Sequence, residues 1–150
     1  MISRPKILFV CTGNTCRSAI AEALWREMVG DPVESAGVSA WTGLLAAPHA
    51  RQVVAGYQAS LDHHRARDLS AVEGNFDWVI TMTQSQKDRV VRLKPEWKER
   101  TVTLSEMAGE SGDILDPAGQ NLEAYKAVAE EIYRLLQKLK VRLDEGSGDQ

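Results

Sequence analysis

Apolar and polar residues along the chain follow two rhythms. Lys6 to Val10, KILFV, is a short and mainly apolar run; it predicts a buried strand ending on the turn-forming CTGNT. From Arg17 to Met28 the spacing becomes helical. Ile20, Ala21, Ala23 and Leu24 recur among Glu22, Arg26 and Glu27, until Gly30, Asp31 and Pro32 stop the helix. Val33 to Ala36 predicts a second short strand, and residues 37–48, with glycine, small residues and Trp41, read as a long surface loop. Pro48 suits the first turn of a helix whose inward face is Ala50, Val53, Val54 and Tyr57. Trp78 to Met82, WVITM, is the best central strand; Gln84 to Leu93 predicts a helix ending before Pro95, and Thr101 to Leu104 a last strand. Residues 109–120 are rich in Gly, Asp and Pro. Tyr125, Val128, Ala129, Ile132, Leu135, Leu136, Leu139 and Leu143 then mark one stripe of a long helix over Leu122 to Leu143, and residues 145–150 read as a frayed tail.

Strands alternating with helices imply a parallel sheet covered on both faces, with ligands gathering at the carboxyl ends of the strands. The expected fold is therefore an α/β three-layer sandwich around a central four-stranded parallel sheet, as one domain over residues 1–150. Composition agrees: 150 residues, 43% hydrophobic and 26% charged, suffice for one core.

Charge narrows the function. The net charge of -3 and the scattered Lys and Arg give no footprint for nucleic acid, and the N-terminal apolar run is too short for a secretory core or a membrane span. The expectations are a cytoplasmic location, no membrane and, with the last helix's stripe read as core, a monomer. Cys11 and Cys16 are too few and too close for a disulfide framework, which points to a reactive thiol. His49, His63 and His64 lack a third partner at metal-binding spacing, so neither metal nor cofactor is expected.

CTGNTCRS carries the chemistry. Where a strand turns into a helix, backbone N–H groups and the open helix N-terminus converge on one point and suit a phosphate group. The loop is Thr12, Gly13, Asn14, Thr15 and Cys16, closed by Arg17 and Ser18. Gly13 is expected to permit the tight turn. Arg17 can hold two phosphate oxygens with its planar guanidinium, Ser18 can donate to the Cys11 sulfur, and Asn14 can brace the loop from within. The same field suits a thiolate nucleophile at Cys11. Cys16 reads either as a small core residue or as a partner that traps Cys11 in a reversible disulfide.

CTGNTCRS near the start, with Asp116-Pro117 near the end, resembles the low-molecular-weight protein-tyrosine phosphatases. SAG at Ser35 to Gly37, PHA at Pro48 to Ala50, HRAR at His64 to Arg67 and ITM at Ile80 to Met82 fall in the same order, so the resemblance covers nearly the whole chain. It implies phosphorylated protein substrates and a phosphocysteine intermediate, with Cys11 as nucleophile, Arg17 on the phosphoryl oxygens and Asp116 as the acid. It also implies a supporting set of Asn14, Ser18, Ser35 and His64.

Within that superfamily, the bacterial protein-arginine phosphatases carry threonine where tyrosine enzymes usually have an aliphatic residue, and Thr15 is that position. Ala118, Gly119 and Gln120 after Pro117, in place of aromatic residues, and MTQSQK from Met82 resemble the same branch. Trp41 falls where tyrosine enzymes place an aromatic wall, and it could stack on a phenol or on a guanidinium. Ala19 departs from the proline common to both branches. Phosphoarginine is the favoured substrate and phosphotyrosine the alternative. An arsenate reductase would need resolving cysteines away from the loop, and a passive phosphate-binding module has no need of Asp116.

Overall fold

The computed structural model describes residues 4–148. Strands β1 (Ile7–Cys11), β2 (Val33–Gly37), β3 (Trp78–Thr81) and β4 (Thr101–Thr103) form one sheet in the order β2-β1-β3-β4. All pairings are parallel: Ile7 lies opposite both Val33 and Trp78, and Val79 opposite Thr101. The three-layer α/β expectation is met. Helices α1 (Arg17–Met28), α2 (Pro48–Ala55), α3 (Gln84–Leu93), α4 (Leu104–Met107) and α5 (Leu122–Gly148) are joined by short 3-10 turns at Leu69–Ala71 and Pro95–Arg100.

β1 is buried along its whole length because side chains alternate across the sheet and both faces are covered. Ile7, Phe9 and Cys11 enter one core with Ile20, Leu24, Val54, Ile132 and Leu136, whereas Leu8 and Val10 enter another with Leu69, Phe76, Val90 and Trp97. Phe9 meets Trp25 edge to face, and Phe76 meets Trp97 likewise. The period-two alternation thus places Cys11 at the carboxyl end of an interior strand, on the side of α1 and α5.

Element boundaries shift for local reasons. β1 spans Ile7 to Cys11 where Lys6 to Val10 was expected. Thr103 caps α4 by a reciprocal pair of hydrogen bonds with Glu106, so Leu104 belongs to that helix and the last strand is shorter than its apolar run. Met82 leaves β3 as Gln86 and Thr83 form the same device at the start of α3. α5 continues to Gly148, past the expected end at Leu143 and into the stretch read as frayed; Asp149 and Gln150 lie outside the described residues. Among the described residues, no helix is long and apolar enough to cross a membrane.

Candidate active site

The sequence between Cys11 and Arg17 turns tightly enough to bring Ser18, the second residue of α1, back onto the strand end. Ser18 Oγ lies 2.9 Å from Cys11 Sγ, and the Asn14 N–H donates to that sulfur at 3.3 Å. The turn does not depend on Gly13. The left-handed residue is Asn14, with φ 58°, a conformation that asparagine tolerates, and a Cβ at position 13 would meet only Thr15 Oγ1 at 3.9 Å. The glycine that the loop requires is Gly37 at the end of β2: a Cβ there would overlap the Thr12 carbonyl oxygen and lie 2.9 Å from Ala40 Cβ.

Asn14 is fully buried and its hydrogen bonds fix its orientation. Its Oδ1 accepts from the Arg67 backbone N–H at 3.0 Å, so its amide nitrogen must face the two hydroxyls of Ser18 and Ser35, at 2.8 and 2.9 Å. The Ser35 hydroxyl in turn donates a hydrogen bond to Glu22 Oε1. His64 Nε2 donates to the Asn14 carbonyl at 2.7 Å. The expected set of Asn14, Ser18, Ser35 and His64 is thus one connected network, with His64 on the backbone of Asn14. Because Ser18 Oγ accepts from the Asn14 amide, its own proton points to Cys11 or, at 3.4 Å, to the Ala36 carbonyl.

Arg17 is 5% exposed. One guanidinium nitrogen donates to the Ile114 carbonyl at 2.8 Å and another lies 3.6 Å from Asp116 Oδ2. Among the described residues its Nε is buried without a hydrogen-bond partner. No side chain caps the N-terminus of α1, where Cys16 is the capping residue. Among the described residues, Arg17 Nε and the N-terminus of α1 thus present donors that no side chain accepts. Asp116 is brought to Arg17 by the segment after Gly112: Ile114 pairs its N–H with the Met82 carbonyl, and Asp113 accepts from the Gln84 N–H. Asp116 is itself half-exposed, with Oδ1 on the Ala118 N–H at 3.0 Å.

Both cysteines are free thiols. Cys16 faces Tyr125, whose hydroxyl is 3.3 Å away; burial pushes the Cys16 thiol up, and burial together with Cys16 pushes the Tyr125 hydroxyl up. Thr15 is half-buried on the loop, its carbonyl accepting from the Ala47 N–H at 3.0 Å. Trp41 stands 78% exposed on the 37–48 loop, which is tied to the site by Ser39 N–H on the Thr12 carbonyl. Among the described residues, no cluster of His, Cys, Asp and Glu is arranged to hold a metal ion.

Sequence reasoning missed Glu22, Arg67, Gln86, Tyr125 and the Ile114 carbonyl. HRAR and MTQSQK marked two of these segments without showing what they touch; the others lie on ordinary helix faces or in a glycine-rich stretch.

The family model described as low molecular weight phosphotyrosine protein phosphatase matches residues 6–147. A protein-arginine-phosphatase of Geobacillus stearothermophilus is 41% identical over 92% of this chain and 95% of its own. The low molecular weight protein-tyrosine-phosphatase PtpB of Staphylococcus haemolyticus is 36% identical over 90% and 97%. Among solved structures, a mutant arginine phosphatase with a phosphorylated active-site serine superposes with a TM-score of 0.83, at 34% identity over 92% of this chain and 95% of that one. With the loop, its supporting network and this agreement along the whole chain in hand, the chain belongs to the low molecular weight phosphotyrosine protein phosphatase family.

Proposed function

We propose that the protein hydrolyses phosphoarginine in proteins through a phosphocysteine intermediate. The observation that carries the phosphoryl site is Arg17: a buried guanidinium whose Nε has no protein acceptor, beside an uncapped helix N-terminus, is matched by a doubly charged phosphoryl group.

In this reading the Cys11 thiolate attacks phosphorus. The S–P bond forms as the P–N bond breaks, and the electron pair of that bond stays on the leaving guanidine nitrogen, which takes a proton from Asp116. A water molecule then attacks phosphorus and gives its proton to the Asp116 carboxylate. The S–P bond breaks, inorganic phosphate leaves, and the Cys11 sulfur recovers its charge against the Ser18 hydroxyl and Asn14 N–H. Thr12, Gly13, Thr15 and Cys16 complete the loop, with Ser35 and His64 as its supports. Two features support the guanidine leaving group: Thr15, which places a polar side chain on the loop, and the similarity to the Geobacillus protein-arginine-phosphatase. The phosphotyrosine reading rests on Trp41, exposed and free to stack, and on the Staphylococcus relative. No cofactor enters the scheme. We place the protein in the cytoplasm as a monomer that meets neither membrane nor nucleic acid.

The test compares kcat/KM on a phosphoarginine protein and a phosphotyrosine peptide, for the parent, Thr15→Ile and Cys11→Ser. The parent should prefer phosphoarginine, Thr15→Ile should move the preference toward phosphotyrosine, and Cys11→Ser should bind phosphate without turnover. Undiminished hydrolysis by Cys11→Ser overturns the mechanism. A parent that prefers phosphotyrosine, with no change in Thr15→Ile, overturns the substrate.

A further inference from the structure

Gln86 is buried at the start of α3, far along the chain from the loop, and its orientation is determined. Its Oε1 accepts from the backbone N–H groups of Met82 and Thr83, at 3.0 and 3.1 Å. Those donors cannot accept, so the amide nitrogen must point the other way, and there it donates to Thr12 Oγ1 at 3.1 Å. Thr12 follows the nucleophile directly and is the exposed residue of the loop. It stands toward the β3–α3 junction, to which the segment carrying Asp116 is also attached through Asp113 and Ile114.

A hydroxyl has one proton and two lone pairs. Gln86 occupies one lone pair and thereby stops the hydroxyl from turning its proton inward, leaving that proton and one acceptor position for the mouth of the site. A guanidine brings several N–H donors that the free lone pair can accept. A phenyl ring brings no hydrogen-bonding group at its edge and would cover the hydroxyl without pairing it, at the cost of an unsatisfied polar group. Sites built to pair a polar group reject analogues that lack it more strongly than apolar pockets reject an added one.

On the phosphoarginine reading above, the structure assigns Thr12 as a second contact for the leaving guanidine and Gln86 as the residue that positions it. The pair acts independently of Thr15, from the opposite side of Asn14 in the loop sequence. Thr12→Val removes the hydroxyl while keeping the β-branched shape, and Gln86→Met removes the donor.

The readout is the ratio of kcat/KM on a phosphoarginine protein to that on a phosphotyrosine peptide, with thermal unfolding of each variant as a check on folding. Thr12→Val should lower the ratio about tenfold, and Thr12→Ser should restore it. Gln86→Met should lower it less, and in the Thr12→Val background it should lower it no further, because its effect runs through the hydroxyl. A parent that favours phosphoarginine, together with a Thr12→Val ratio equal to the parent's, overturns this assignment and leaves the phosphoarginine reading standing. Additive losses in the double variant overturn the positioning role of Gln86. A parent that favours phosphotyrosine removes the substrate reading and this assignment together.

Discussion

Asn14 combines a left-handed backbone with a side chain whose three polar positions are all committed, to Arg67 N–H, Ser18 and Ser35. Both features serve one end: they fix the shape of the loop around Cys11. Replacing Asn14 by Ala strands buried donors and acceptors and should cost about 3 kcal/mol of stability in urea unfolding. Asn14→Asp is the sharper variant. It keeps the acceptor for Arg67 but removes both donations and sets a negative charge beside the Cys11 sulfur, so kcat should fall roughly 100-fold while stability falls less than in Asn14→Ala. Equal kcat in Asn14→Asp and the parent would show that the network holds shape alone.

At the scale of elements, α5 is tied to the turn after α4 by Glu110, which bonds Arg134 at 2.6 and 3.1 Å and Lys138 at 2.6 Å. These hydrogen bonds and charges hold the Glu110 carboxyl down to about 2, against 4.5 for an ordinary glutamate. A depressed carboxyl contributes its stability above the unfolded value and loses it as pH falls through the folded one. The tie should therefore weaken between pH 4.5 and about 2, and Glu110→Gln should unfold with a flatter acid limb over that window. Because these three charges lie near the surface, 1 M salt should shrink the difference between the two proteins. Urea unfolding across that pH range measures it, and superimposable acid limbs would contradict the tie.

How far each element was legible follows from where its information lies. β1, β3 and α5 carry their signal in their own apolar pattern, and CTGNTCRS lies within eight consecutive residues, so the contact between Cys11 and Ser18 could be read directly. β4 misled by one residue because a capping box at Thr103 overrode the apolar run. The supports of the loop that sequence reasoning missed include Arg67, Gln86 and Ile114, which sit outside any periodic pattern facing the site and reach it only through the sheet order. Gly13 and Gly37 show the same limit: glycine content located the turn, but the close approach across β1 and β2 decided which glycine the fold requires.

For the whole molecule, the two cores on either face of the sheet immobilise β1 and α1 and so fix the spacing between Cys11, the loop donors and Arg17 before any ligand arrives. A ligand that binds only this folded arrangement must stabilise all of it. Inorganic phosphate at a hundred times its dissociation constant should add about 2.7 kcal/mol, which for a chain of this length raises the unfolding midpoint by roughly 5–10 °C. Chloride at matched ionic strength should not, since its charge cannot meet the loop N–H groups and the Arg17 guanidinium together. Arg17→Met lowers the midpoint by itself, because the Ile114 carbonyl loses its donor, so the quantity to compare is the rise on adding phosphate. That rise should nearly vanish in Arg17→Met and persist in Asp116→Asn, which removes the proposed acid but leaves the anion donors in place. A rise of the same size in Arg17→Met would place the phosphate somewhere other than this loop.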